Sequence, residues 1–157
     1  MVGSSEASSP LPWPPIVYGF GALVASILTW FYPVSLWTPV THGWRIAGVG
    51  VIAAGLLLLA LAGRQFRRTG TPVPPIKPTT AIVTTGIYQY TRNPMYLGLS
   101  LIVLGLAVLT ASLWFFLATP VAVVAVTKLA IEREEIYLER KFGAVYRTYK
   151  QRVRRWL

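Results

Sequence analysis

The sequence predicts an all-α integral membrane protein: four transmembrane helices, the last extended into the cytosol, followed by a short interfacial C-terminal segment. Three observations carry this. Hydrophobic residues make up 54% of the chain and charged residues 13%, against about 25% charged in a soluble domain, and mean hydropathy is +0.55. The apolar residues gather into four runs that hold a single charge, Lys128. The 15 lysines and arginines, set against 5 acids for a net charge of +10, lie mostly in two clusters beside those runs.

Met1–Pro15 is rich in serine and proline and is expected to be disordered. It lacks the basic start of a signal peptide. Residues 16–157 then form a single four-helix membrane domain. Ile16–Tyr32 is the first run, 17 residues ending in Trp30, Phe31 and Tyr32, with Pro33 as a stop. Thr38–Trp44 is a polar connection holding the only histidine, His42. Ile46–Gly63 is the second run, in which Gly48, Gly50 and Gly55 allow close helix approach. Arg64–Thr85 is a basic connector whose four prolines, Pro72, Pro74, Pro75 and Pro78, forbid a long helix. Met95–Thr110, 16 residues, is the third run; Thr110-Ala111-Ser112 turns it into the fourth, Leu113–Ile131, where Pro120 predicts a kink. Such runs give helices of about 24–29 Å, near the ~30 Å of a hydrocarbon core.

Orientation follows from the basic residues. Arg64, Arg67, Arg68, Lys77 and Arg92 flank one side, and the tail from Arg133 to Arg155 joins them, whereas the other two connections hold only Arg45. Both termini are therefore expected in the cytoplasm. With the charges flanking apolar spans, the expected partner is a bilayer with anionic headgroups and not nucleic acid.

Two stretches on that side carry chemistry. In Thr84–Gly98, TTGIYQYTRNPMYLG, Pro94 suits a first helical turn and places Asn93 at the cap. Arg92, Asn93 and the free N–H groups of the helix start would converge on a spot that favours an anion. The plainer reading is a capped helix anchored at the interface by tyrosines and arginine. Beyond Ile131 nothing breaks the fourth helix before Gly143, so it should continue through Phe142. At 100° per residue Lys128, Glu132, Glu135 and Glu139 share one stripe and Glu134 points elsewhere. Glu139 reads as solvated. For Glu132, Glu134 and Glu135 a solvated face and a site at the membrane edge both stand. Ala144–Leu157 mixes aromatic and basic residues as an interfacial segment does.

The inventory is restrictive. With no cysteine and no aspartate, and with His42 on the opposite side, a catalytic triad, a thiolate nucleophile and a zinc or other metal site all lack parts. No phosphate-binding glycine fingerprint is present. What remains is a carboxylate cluster, an arginine, an asparagine and tyrosines, a set that can orient a zwitterionic, cationic cofactor and act by proximity and electrostatics.

The segment GIYQYTRNPMYLG, followed 35 residues later by EEIYLERKFGAVYRTYKQRVRRWL, resembles the isoprenylcysteine carboxyl methyltransferase / phospholipid methyltransferase group of integral membrane enzymes. That group's pattern runs roughly G-x-Y-x-x-x-R-H-P-x-Y-x-G, then E-E-x-x-L-x-x-x-F-G-x-x-Y-x-x-Y, then a basic end. Gly86, Tyr88, Arg92, Pro94, Tyr96 and Gly98 match the first part. Glu134, Glu135, Leu138, Phe142, Gly143, Tyr146 and Tyr149 match the second. The resemblance implies S-adenosylmethionine as methyl donor, bound at the cytosolic membrane edge by Gly86, Tyr88, Arg92, Asn93, Pro94, Tyr96, Gly98, Glu134 and Glu135. Arg92, Asn93 and Glu135 would be catalytic. The acceptor would be lipid-like or a small hydrophobic molecule bearing a carboxylate, amine or thiol. Asn93 stands where the group has histidine, and Arg154 where it has proline. Asparagine does not titrate, so no enzyme-derived step is expected near pH 6.5. Two other readings remain: an NADPH-dependent membrane reductase, against which the short connectors argue, and a non-enzymatic subunit binding a lipid or partner, which Asn93 favours.

Overall fold

In a computed structural model that describes residues 13–68 and 81–157, every extended element is a helix. α1 is Trp13–Phe31. Its Pro14 and Pro15 sit in the first turn, where a missing N–H costs nothing. The helix thus takes in the last three residues of the segment expected to be disordered; the rest of that segment, 1–12, lies outside the described residues. α2, His42–Arg68, is longer than its apolar run at both ends. His42, Gly43 and Trp44, expected in a connection, form its first turn, with His42 exposed. Arg64, Arg67 and Arg68, expected in the next connector, form its last turns, where cations suit the negative end of the helix dipole. The four prolines of that connector fall outside the described residues.

A short 3₁₀ turn at Gly86–Gln89 leads into α3, Pro94–Thr110. Ala111 takes a left-handed conformation, φ 52°, and reverses the chain into α4, Leu113–Val126. Pro120 lies inside α4, and the break in α-helical register comes later, as a π turn at Thr127–Ile131. α5, Glu132–Phe142, continues the same rod until Gly143, φ 53°. α6, Ala144–Arg152, and a short extended tail complete the chain.

Among the described residues, three helical stretches are long and apolar enough to cross a membrane: Pro14–Phe31, His42–Arg68 and the 30-residue rod Leu113–Phe142. α3 is a shorter apolar helix of 17 residues. Phe20, Ile46 and Val121 are each at least two-thirds exposed, as lipid-facing side chains are. This is a membrane protein. α3 lies at the centre, packed on α2, α4 and α1. Its seam with α2 is built on glycine. A methyl group added at Gly55 would lie 2.6 Å from the carbonyl oxygen of Gly98, and one at Gly105 would lie 2.9 Å from that of Gly48. Backbones this close need positions without side chains. On the other side of α3, the hydroxyls of Tyr18 and Ser100 bond at 2.6 Å between buried surfaces.

At the end away from the basic clusters the two loops are tied together. Leu36 N–H donates to the Ala111 carbonyl (2.7 Å) and Leu113 N–H to that of Val34 (3.0 Å). The Trp114 indole donates to the Tyr32 carbonyl (2.6 Å).

Candidate active site

The opposite end of the bundle opens into a cleft of about 100 Å³, partly open to solvent. One wall is apolar: Phe66 of α2, Ala81, Ile82 and Val83, Met95 of α3, Ile131 and Leu138. The other is polar and comes from the two stretches singled out in the sequence. Tyr88, Arg92, Asn93, Pro94, Tyr96, Glu134 and Glu135 all line this cleft, joined by Tyr137, Tyr146 and Tyr149.

Gly86 and Gly98, expected beside them, do not line the cleft. Gly98 is buried in the α2–α3 seam. Gly86 has φ 64°, and a side chain there would meet Gln65, 3.0 Å away; Gln65 in turn donates to the Thr85 hydroxyl. Both glycines shape the backbone around the site and face away from it.

Pro94 opens α3 and Asn93 occupies the cap position, but the Asn93 side chain makes no cap hydrogen bond. Its Nδ2 donates instead to the carbonyl of Arg155 (2.9 Å), and the Thr91 hydroxyl reaches the same carbonyl at 3.3 Å. Between them, Arg92 N–H donates to the Arg154 carbonyl (3.0 Å). The tail therefore lies along residues 91–93, and Trp156 packs on the main apolar core.

The two neighbouring glutamates differ sharply. Glu135 is buried and its charge is fully met. Arg155 grips it through Nε to Oε1 (3.1 Å) and Nη2 to Oε2 (2.8 Å), and Arg92 Nη1 stands 2.9 Å from Oε1. Among the described residues no cation pairs with Glu134, and its Oε1 accepts a hydrogen bond from the Tyr96 hydroxyl (2.8 Å). α5, with seven charged residues in 11, lies beyond the apolar run. There the Glu134 carboxyl is pushed up to about 7, chiefly by burial; the Tyr96 hydrogen bond opposes the rise and the charge of Glu135 adds to it. Burial likewise raises the phenols of Tyr88, Tyr146 and Tyr149 above their ordinary value.

Arg92 is the other unfinished group. Its side chain is 10% exposed, its Nε is buried without a hydrogen-bond partner, and its Nη1 faces Glu135 without hydrogen-bond alignment. A buried donor left so is costly unless something else accepts from it. The outer glutamates are bound at the surface, Glu132 to Lys128 (2.8 Å) and Glu139 to Lys150 (3.4 Å).

The π turn sets this arrangement. Val126, Ile131 and Glu135 face inward, at 0%, 0% and 6% exposure. The step from Val126 to Ile131 is five residues, that from Ile131 to Glu135 four. A continuous α-helix would have turned Glu134 toward the place Glu135 takes. Sequence reading missed the π turn and Arg155. Tyr146 and Tyr149 were expected as aromatics of an interfacial segment that match the pattern, and they line the cleft; their aromatic spacing near Gly143 was the available signal.

An uncharacterized protein of Haemophilus influenzae is 44% identical over 63 residues, 40% of this chain and the whole of that protein. No solved structure matches the chain. The family model described as phospholipid methyltransferase matches residues 44–145, a span that takes in α2, the 3₁₀ turn, the α3–α4 hairpin and both glutamates of the cleft, and the chain belongs to that family.

Proposed function

We propose that this protein transfers a methyl group from S-adenosylmethionine to a lipid-like, amphiphilic acceptor at the cytosolic edge of the membrane. The observation that carries this reading is the pair of unfinished charges in one largely apolar cleft: Glu134, which no cation among the described residues pairs, and Arg92 with a buried donor to spare. The cofactor is a zwitterion with an added positive sulfur and a flat base, and this donor set fits it. Arg92 would donate to its carboxylate. Glu134 would face its ammonium or sulfonium charge, and the faces of Tyr88 and Tyr149 suit an adenine or a nearby cation. Bound there, S-adenosylmethionine supplies a methyl group already activated for transfer. The residues of the chain then have to hold, orient and exclude water. Glu135, saturated by arginines, serves by fixing Arg92, and Asn93 by fixing the tail.

On this reading α3 is the fourth span, about 26 Å at 1.5 Å per residue, and both termini are cytoplasmic. The apolar wall lets an acceptor's hydrocarbon part stay in lipid while its head reaches the polar wall. The test is thermal stabilisation of the purified protein by ligands. S-adenosylhomocysteine should raise the melting temperature and NADPH should not. A shift with NADPH alone would favour a reductase, and no shift with either a non-enzymatic subunit.

A further inference from the structure

Resting on that functional reading, we propose that Arg155 is a positioning residue: it occupies Glu135 so that Arg92 stays available to an anionic ligand, the carboxylate at the amino-acid end of the cofactor. Arg155 is not among the residues that line the cleft.

The argument starts from how Glu135 is shared. A carboxylate offers two oxygens, and arginine binds best by taking both. Arg155 takes both, at 3.1 and 2.8 Å. Arg92 is left a place beside Oε1 only, and keeps a buried Nε without a partner. Without the Arg155 fork, Oε2 would have only Lys150, 4.0 Å away. Arg92 would then be the strongest donor beside a buried carboxylate in a medium of low dielectric. It would turn onto both oxygens, and its spare donor would be used up. Arg155 prevents that collapse by getting there first.

The tail carries a second, independent set of contacts. The carbonyls of Arg154 and Arg155 accept from Arg92 N–H, Asn93 Nδ2 and the Thr91 hydroxyl. These are main-chain acceptors and survive a change of the Arg155 side chain. Arg155→Gln should therefore leave the tail in place while releasing Glu135.

The experiment compares two ligands by titration calorimetry on the full chain in lipid nanodiscs. S-adenosylhomocysteine carries the amino-acid end; methylthioadenosine is the same nucleoside thioether without it. Arg155→Gln should weaken S-adenosylhomocysteine by roughly tenfold to a hundredfold, the span of one hydrogen bond to a charged group, and leave methylthioadenosine unchanged. Arg155→Lys, which keeps the charge without the fork, should fall between. Arg154→Gln, which removes a charge from an exposed position, should change neither. Equal losses for both ligands in Arg155→Gln would mean a loosened tail, and no loss would mean that Arg92 does not depend on Arg155; either overturns the inference. A wild-type protein that binds methylthioadenosine as tightly as S-adenosylhomocysteine also overturns it. A wild-type protein that binds neither sinks the functional reading itself, and the inference with it.

Discussion

Glu134 is the residue on which the chemistry of the cleft turns, because among the described residues it alone combines enclosure, a single neutral hydrogen-bond donor and a charged neighbour. Its folded-state value of about 7 lies above the ordinary carboxyl value of 4.5, so between those two pH values the folded ligand-free protein holds a proton that the unfolded chain has released. Stability is then unaffected by this group below about 4.5 and falls as pH rises toward about 7. Melting of the ligand-free protein across that window should show the decline, and Glu134→Gln, fixed in the neutral form, should flatten it. Ligand binding should behave in the opposite sense. S-adenosylhomocysteine brings a cation, so its affinity should rise with pH through about 7. Glu134→Gln should abolish that rise and cost about 1.5–3 kcal/mol of binding. A flat affinity profile in the wild-type protein would remove Glu134 from the cofactor's charge. The sequence alone pointed the other way: with asparagine at position 93, no titration near neutrality was expected. Burial of Glu134 was not visible there, because it depends on Phe66 and residues 81–83, from elsewhere in the chain, walling the same cleft.

At the scale of elements, the α2–α3 seam fixes how the cleft is walled. Phe66 comes from the end of α2 and Met95 from the start of α3, so a change in their crossing moves both. Gly55→Ala would push a methyl group to within 2.6 Å of a backbone carbonyl that cannot step aside. We expect a loss of about 1–3 kcal/mol of stability, as for overpacked cores, read as a lower melting temperature. Gly50→Ala meets nothing within 4 Å and should leave the melting temperature unchanged or raised, alanine being the better helix former. Equal effects at the two positions would contradict the seam. Gly48 and Gly55 of this seam were legible in the sequence, whereas Gly50, expected with them, lies off it; the third apolar run, the turn at Ala111 and the continuation of the fourth helix to Gly143 were legible too. The convergence of Tyr88, Arg92, Tyr96, Glu134 and Glu135 was also within reach, because a tight hairpin returns the chain to the end it left. The π turn was not. Nothing in TKLAI distinguishes it from an α turn, and it is the packing of Ile131 and Glu135 inward that selects it. Arg155 was equally hidden, one basic residue among several in a tail whose partners lie 20 and 62 positions away.

For the whole molecule, the distribution of charge predicts which end meets the cytoplasm. Arg64, Arg67, Arg68, Arg92 and the basic residues of α5, α6 and the tail lie at the cleft's end of the helices, while the far end carries Arg45. The chain contains no cysteine, so single introduced thiols report without background. Thr41→Cys and Thr110→Cys should react with an impermeant reagent applied to intact cells, and Arg140→Cys only after the membrane is opened. Labelling of Arg140→Cys in intact cells would reverse the orientation and place the cleft on the wrong side for a cytosolic cofactor. The bonds between the two far-side loops carry this further. Leu36 to Ala111, Leu113 to Val34 and Trp114 to Tyr32 fasten that end shut, like the joined end of a pair of tweezers. On the orientation and function proposed above, acceptor and product would share one doorway at the cytosolic rim, so the molecule would edit the lipids of a single leaflet and leave the other leaflet's composition to enzymes on its own side.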